Sequence, residues 1–233
     1  MFAVFLIVCA GVGYLLGSIP CGFLVAKWHG VDIFSVGSRS PGATNVKRTI
    51  GRGAGNLVFA LDFLKGLLAT AWVHLLPVER AITSATADLA GEGGTRMTAD
   101  SAVVWLGLTG MAFAVLGHCF SVFLKFRGGK GVATSLGGAL ALMPWAAVCG
   151  VLVWLILFLT TRYVSLASIG LAATLPIVAY FRPGNPVVFG FAIAVAVFVI
   201  VLHRANIGRL LLGTEHRFAR KTDPASQPPS TSS

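Results

Sequence analysis

The chain has 233 residues, of which 56% are hydrophobic and only 11% charged, with a mean hydropathy of +0.84; a soluble domain carries about 25% charged residues, so the composition indicates a single-domain integral membrane protein. The formal charge of +10 is not a nucleic-acid surface, because 13 of the 18 basic residues fall in three clusters: Lys27, Arg39, Lys47, Arg48 and Arg52; Lys125, Arg127 and Lys130; and Arg204, Arg209, Arg217, Arg220 and Lys221. The positive-inside rule puts all three at the cytoplasmic face, beside anionic lipid headgroups.

The first apolar run, Phe2 to about Ala26, has no basic leader and no small-residue cleavage site, and Lys27 follows it; it is expected to be a retained helix with its N-terminus external. A second span is expected from about Gly55 to Leu76 and a third from about Ala102 to Leu124. Residues 77–101 between them mix acidic and basic side chains and are expected to form an external polar loop.

From Gly131 to His203 the chain is almost continuously apolar, broken at Pro144, at Thr160-Thr161-Arg162 and at Arg182-Pro183-Gly184-Asn185. Four segments there keep the basic stretch after His203 cytoplasmic, whereas three would put it outside. The cost is that Val132 to Met143 reaches only about 18 Å as a helix, against a hydrocarbon core of roughly 30 Å, so it should be short and shielded by protein. The others follow as about Pro144 to Leu159, Tyr163 to Phe181 and Pro186 to His203. The expectation is an all-α membrane protein of about seven helical segments, the fourth short, with a cytoplasmic C-terminus. One transmembrane domain covers residues 1–212, and a disordered tail covers 213–233, which ends D-P-A-S-Q-P-P-S-T-S-S.

The four cysteines lie in apolar surroundings without C-x-x-C spacing, and His29, His74 and His216 have no neighbours that make a ligand set; neither a disulfide framework nor a metal site is indicated. Polar chemistry collects at the expected cytoplasmic ends. One loop supplies Gly37, Ser38, Thr44, Asn45 and Arg48. A second supplies His118 and Gly128-Gly129-Lys130-Gly131, and the last span ends His203-Arg204-Ala205-Asn206. Glycines admit backbone N–H groups to an oxyanion, and Gly-Gly-Lys-Gly opening a helix puts a lysine and free N–H groups at a positive dipole end. The spacing is not that of a Walker A loop. His203 and Asn206, three residues apart, share a helix face, as do Asp62 and Lys65 inside the second span, where mutual pairing is expected. His118, at a helix end, reads equally as a base or as an interfacial hydrogen-bonding residue.

Five stretches in order along the chain, S-I-P-C-G-F-L-V-A-K (18 to 27), G-S-R-S-P-G-A-T-N-V-K-R (37 to 48), L-D-F-L-K-G (61 to 66), G-H-C-F-S-V-F-L-K-F-R-G-G-K-G-V-A-T (117 to 134) and H-R-A-N-I-G-R-L-L-L-G-T-E (203 to 215), resemble the bacterial acyl-phosphate-dependent glycerol-3-phosphate acyltransferases, the PlsY family. The chain departs where the family usually shows Gly-Asn in place of Arg39-Ser40, Pro in place of Ser121 and Lys in place of Arg127, and the 77–101 loop is longer than usual. The resemblance implies an inner-membrane enzyme that moves a fatty acyl group from acyl phosphate to the 1-hydroxyl of sn-glycerol 3-phosphate, with no cofactor. It implies as partners both substrates, membrane lipid and the soluble synthase that makes acyl phosphate. Ser38, Arg48 and Lys130, with the backbone of Gly128 to Gly131, would hold phosphate, and His203 and Asn206 would hold the acceptor. Gly37, Thr44, Asn45 and His118 would complete the binding loops. The His-x-x-x-x-Asp motif of acyl-CoA-dependent acyltransferases is absent; transport is disfavoured because the candidate ligands gather on one face and no inverted repeat is evident.

Overall fold

The computed structural model describes residues 2–75, 98–182 and 184–218, and among them every regular element is helical. In chain order these are α1 (Phe2–Ser18), α2 (Cys21–Trp28), α3 (Ala43–Thr49), α4 (Arg52–Leu75), α5 (Ala99–Cys119), α6 (Val132–Leu142), α7 (Pro144–Thr161), α8 (Val164–Phe181), α9 (Pro186–Leu202) and α10 (Arg204–Leu211). Among the described residues, five stretches are long and apolar enough to cross a membrane, and α9 with α10, bent by 60°, makes a sixth if counted as one span. The 11 residues of α6 are too few to cross alone, as expected from the distance between Gly131 and Pro144.

The boundaries depart from the expected ones for local reasons. Pro20 cannot donate into the first run, which breaks into α1 and α2. The third span stops at Cys119 instead of Leu124, because Ser121 and Arg127 pair across a tight hairpin with Lys125 and Phe126 at φ of 54° and 60°. That hairpin brings Gly129 back to donate its N–H to the His118 carbonyl at 3.1 Å. Residues 99–101, expected in the external loop, begin α5, capped by the Thr98 hydroxyl, which accepts from the Ser101 N–H; residues 77–97 lie outside the described residues. The first binding loop contains a helix, α3, that the sequence pattern did not signal.

Without water to drive apolar faces together, membrane helices pack through small residues that let backbones meet. The short α6 lies against α4 in this way: a Cβ on Gly66 would overlap the Thr134 carbonyl, and one on Gly137 would overlap that of Phe63. The contact shields α6 and sets its N-terminal end, with Lys130 just before it, beside the interior. Around it, α1 packs along α5, α7 along α8 and α8 against α9. The main core joins Leu136 and Ala139 of α6 to Leu171 and Leu175 of α8 and Val195 and Val199 of α9, while Ile7, Ile156, Ile177 and Phe181 point outward.

The tail carries no regular element beyond the turn at Gly213, but its first residues are not loose, as a disordered tail would be. Thr214 to Phe218 fold back onto the helices, and Glu215 is only 7% exposed. Residues 219–233 lie outside the described residues.

Candidate active site

A cavity of about 760 Å³ opens where the loop before α3, the Gly-Gly-Lys-Gly turn, the α9–α10 bend and the returning tail converge. Ser38, Arg48, Lys130, His203 and Asn206 all line it, so the structure brings together residues up to 168 positions apart. Another part of its wall is apolar, with Leu136 of α6, Val151, Trp154, Leu155 and Phe158 of α7, and Leu171 of α8.

The first loop hangs on Asn45. Its side-chain oxygen accepts the Ser38 N–H at 2.9 Å, and its amide nitrogen lies 3.0 to 3.4 Å from the carbonyls of Ser40, Val36 and Ile33. At 2% exposure, with oxygen and nitrogen both engaged, Asn45 organises the loop instead of offering its amide to a ligand. Gly37 has the same part: its φ is +56°, and a Cβ there would strike the Asn45 oxygen. Thr44 lines the cavity at the first turn of α3, and the exposed Ser38 lines it with its backbone N–H already held.

Arg48 leaves α3 toward the tail, where it donates to the His216 carbonyl at 3.1 Å and lies over the Phe218 ring, 4.9 Å from its centroid. Lys130 donates to the side-chain oxygen of Asn206. The Asn206 amide donates to one Glu215 oxygen at 2.7 Å, and Arg209 donates to the other at 2.7 Å. Burial pushes the Lys130 ammonium down to about 8; the Glu215 carboxylate opposes the shift, and Arg209 and Arg48 add to it. For Glu215, burial works to raise the pKa, but the polar groups of Asn206, Ser165 and Arg209, together with the Arg209 charge, outweigh it and hold the carboxyl below the ordinary glutamate range. An anionic Glu215 fixes the amide of Asn206, so the amide oxygen is the atom left for Lys130.

His203 is 3% exposed at the α9–α10 bend, with Nδ1 2.8 Å from the Val199 carbonyl. A carbonyl only accepts, so Nδ1 carries the proton and a neutral ring presents Nε2 as an acceptor.

The expected Asp62–Lys65 pair forms, at 2.8 Å, and Lys65 also donates to the Ile19 carbonyl at 2.9 Å. His118 joins it, with Nδ1 3.4 Å from Asp62. A histidine and an aspartate therefore meet in space although no His-x-x-x-x-Asp motif exists. The other ring nitrogen abuts Gly129, where a Cβ would overlap it. His118 thus packs under the glycine turn, and of its two sequence readings the geometry favours support over proton transfer. Gly128 and Gly129 fit closely over His118 and Cys119, and Gly131 turns into α6 at φ +74°.

Sequence reasoning missed Glu215, Arg209, the Asp62–His118 contact and the tail contacts of Arg48. Glu215 ends the H-R-A-N-I-G-R-L-L-L-G-T-E stretch, so a signal existed, but the tail's composition masked it.

Comparison with known proteins agrees with this architecture. The family model described as glycerol-3-phosphate acyltransferase matches residues 7–213. Proteins named glycerol-3-phosphate acyltransferase from Aquifex aeolicus and Trichlorobacter lovleyi are 46% and 42% identical, over 94% and 88% of this chain and 100% and 93% of theirs. Crystal structures of PlsY, an integral membrane glycerol 3-phosphate acyltransferase, are similar in its glycerol 3-phosphate form (TM-score 0.76, 39% identity, 92% of this chain and 96% of that one) and its lysophosphatidic acid form (TM-score 0.72, 38% identity, 92% and 95%). With the family model matching residues 7–213 and these relatives matched over nearly its whole length, the chain belongs to the glycerol-3-phosphate acyltransferase family.

Proposed function

We propose that the protein transfers a fatty acyl group from acyl phosphate to the 1-hydroxyl of sn-glycerol 3-phosphate, giving lysophosphatidic acid and inorganic phosphate. The observation that carries the reading is one cavity whose wall is part cationic and part apolar, which suits two phosphate heads and one acyl chain. Arg48, Lys130, Ser38 and the backbone of the Gly128 to Gly131 turn, apart from the Gly129 N–H that the His118 carbonyl already holds, take the donor's phosphate, and the apolar wall on α6, α7 and α8 takes its chain. His203 and Asn206 hold the acceptor, Asn206 through the amide N–H that Glu215 leaves free and His203 through Nε2, which accepts from the neighbouring 2-hydroxyl.

Acyl phosphate is already activated, so a direct displacement suffices. The hydroxyl oxygen attacks the acyl carbon, the bond from that carbon to the phosphate oxygen breaks, and the hydroxyl proton leaves on the phosphate. Arg48 and Lys130 stabilise the charge that develops on the departing group, and holding both substrates together supplies the orientation. The protein lies in the inner membrane as seven helical segments, counting the short α6, with its N-terminus external and the site at the cytoplasmic face. Residues 1–212 form the transmembrane catalytic domain, Glu215, His216 and Phe218 of the tail complete its cavity, and a soluble synthase supplies the donor.

The test offers purified protein radiolabelled glycerol 3-phosphate with palmitoyl phosphate, palmitoyl-CoA or acylated carrier protein, each alone and with chelator. Turnover with palmitoyl phosphate only, unchanged by chelation, is expected; robust turnover with palmitoyl-CoA overturns the donor. For topology, single cysteines at Ser40 and Gly93, in a background without the native four, should react from the cytoplasmic and external sides respectively. Labelling of Ser40→Cys from outside overturns the orientation.

A further inference from the structure

The five residues Thr214 to Phe218 follow the stretch that the family model matches, which ends at residue 213, yet they tie three separate helices to the cavity. Glu215 reaches α10 through Asn206 and Arg209. The Arg217 guanidinium donates to the Thr161 carbonyl at 3.1 Å, and the Phe218 N–H donates to the Arg162 carbonyl at 3.2 Å, both at the turn between α7 and α8. The Phe218 ring meets Phe158 of α7 edge to face at 5.9 Å, and both line the cavity. Arg48 of α3 closes the circuit on the His216 carbonyl and the Phe218 ring.

We propose that Phe218 is a positioning residue for Arg48, holding the guanidinium in the plane from which it forks onto phosphate. A free arginine side chain has many rotamers, so an arginine that must meet a phosphate at two oxygens benefits from being held beforehand. An aromatic ring does this without consuming a donor, because it touches the flat face while the N–H groups lie in the plane. The His216 carbonyl takes one donor and leaves the others for the ligand. The ring is itself fixed from the α7–α8 turn, so it links the cationic part of the wall to the apolar part. Phe218 touches no reacting atom; its effect passes through Arg48. This rests on the reading that Arg48 binds phosphate.

The probe is inorganic phosphate, whose binding to the full-length, detergent-solubilised protein is followed by calorimetry alongside its melting temperature. Phe218→Leu should weaken phosphate binding about tenfold, whereas Phe218→Trp, which keeps a ring, should stay within about threefold of wild type. In an Arg48→Ala background, Phe218→Leu should cause no further loss, since the interaction it removes is already gone. Wild-type affinity in Phe218→Leu overturns the proposal, as does an undiminished loss in the Arg48→Ala background or a wild type that binds no phosphate. A wild type that binds phosphate but does not turn over palmitoyl phosphate counts against the donor assignment alone.

Discussion

Lys130 donates its hydrogen bond to the side-chain oxygen of Asn206, 76 residues further along the chain, and Asn206 in turn donates to Glu215. The link joins the glycine turn before α6 to the bend between α9 and α10. It also sets the character of the lysine: an ammonium half removed from water, with an amide in place of a carboxylate as its direct partner, is a cation ready for an incoming anion.

A pH dependence follows from that burial. With the Lys130 pKa near 8, the ammonium is present below that pH and is lost above it. Because the proposed donor contact needs the charged form, kcat/KM for acyl phosphate should be level below pH 8 and should fall above it, approaching tenfold per unit. Lys130→Arg should retain part of the activity while losing this alkaline limb, since arginine stays charged. Lys130→Ala should lower kcat by on the order of 10², the scale of removing an oxyanion donor. An alkaline limb that persists in Lys130→Arg would assign it to another group.

The buried Asp62–Lys65–His118 cluster makes a separate demand on stability. Asp62 is 2% exposed and receives the Lys65 ammonium at 2.8 Å. Asp62→Ala leaves a buried cation with only the Ile19 carbonyl and frees His118 beneath the glycine turn. A loss of about 3–5 kcal/mol is expected, seen as a lower melting temperature in detergent. The double change Asp62→Leu with Lys65→Met removes both charges and should be less damaging than Asp62→Ala. If the single and double variants melted alike, desolvated charge would not be what holds this region.

The apolar runs made the spans legible, because a helix bare of charge has little alternative at that length, and the loop charges pointed to a short α6. What stayed hidden depends on which helices neighbour one another. Asp62 and His118 stand on α4 and α5 and meet only through packing. Asn45 belongs to the site in a different role from the expected one, since its place in a Gly/Ser/Asn loop reads as ligand-binding until the loop's own carbonyls are seen to surround the amide. The tail fared similarly. Its last residues are polar and proline-rich, but the fate of Glu215 and Phe218 is decided by Asn206, Arg209 and Arg162, which composition does not weigh.

Arg39 offers a test of local strain. It stands where the family usually has glycine, and its φ is +55°, a left-handed conformation that costs a residue with a Cβ roughly 1–2 kcal/mol. Glycine recovers that cost but loses about 0.5–1 kcal/mol through its freedom in the unfolded chain. Arg39→Gly should therefore raise stability by up to about 1.5 kcal/mol, measured as a higher melting temperature. Arg39 also lines the cavity, so an accompanying rise in KM for either phosphate-bearing substrate would mean that the cation contributes to binding from its strained position.

The two histidines at the site are expected to separate cleanly by kinetics. His203 fixes its tautomer on the Val199 carbonyl and keeps Nε2 as an acceptor, which suits the hydroxyl of glycerol 3-phosphate. His203→Ala should raise KM for glycerol 3-phosphate more than for acyl phosphate, and Asn206→Ala should share this bias. His118 also lines the cavity, but one ring nitrogen faces Asp62 and the other lies beneath Gly129, which suits support of the glycine turn. His118→Ala should lower the melting temperature and affect the two KM values alike through the loosened glycine turn. Should His118→Ala abolish kcat in stable protein while Lys130→Ala and Arg48→Ala turn over near-normally, a histidine base would replace the phosphate clamp as the source of the rate.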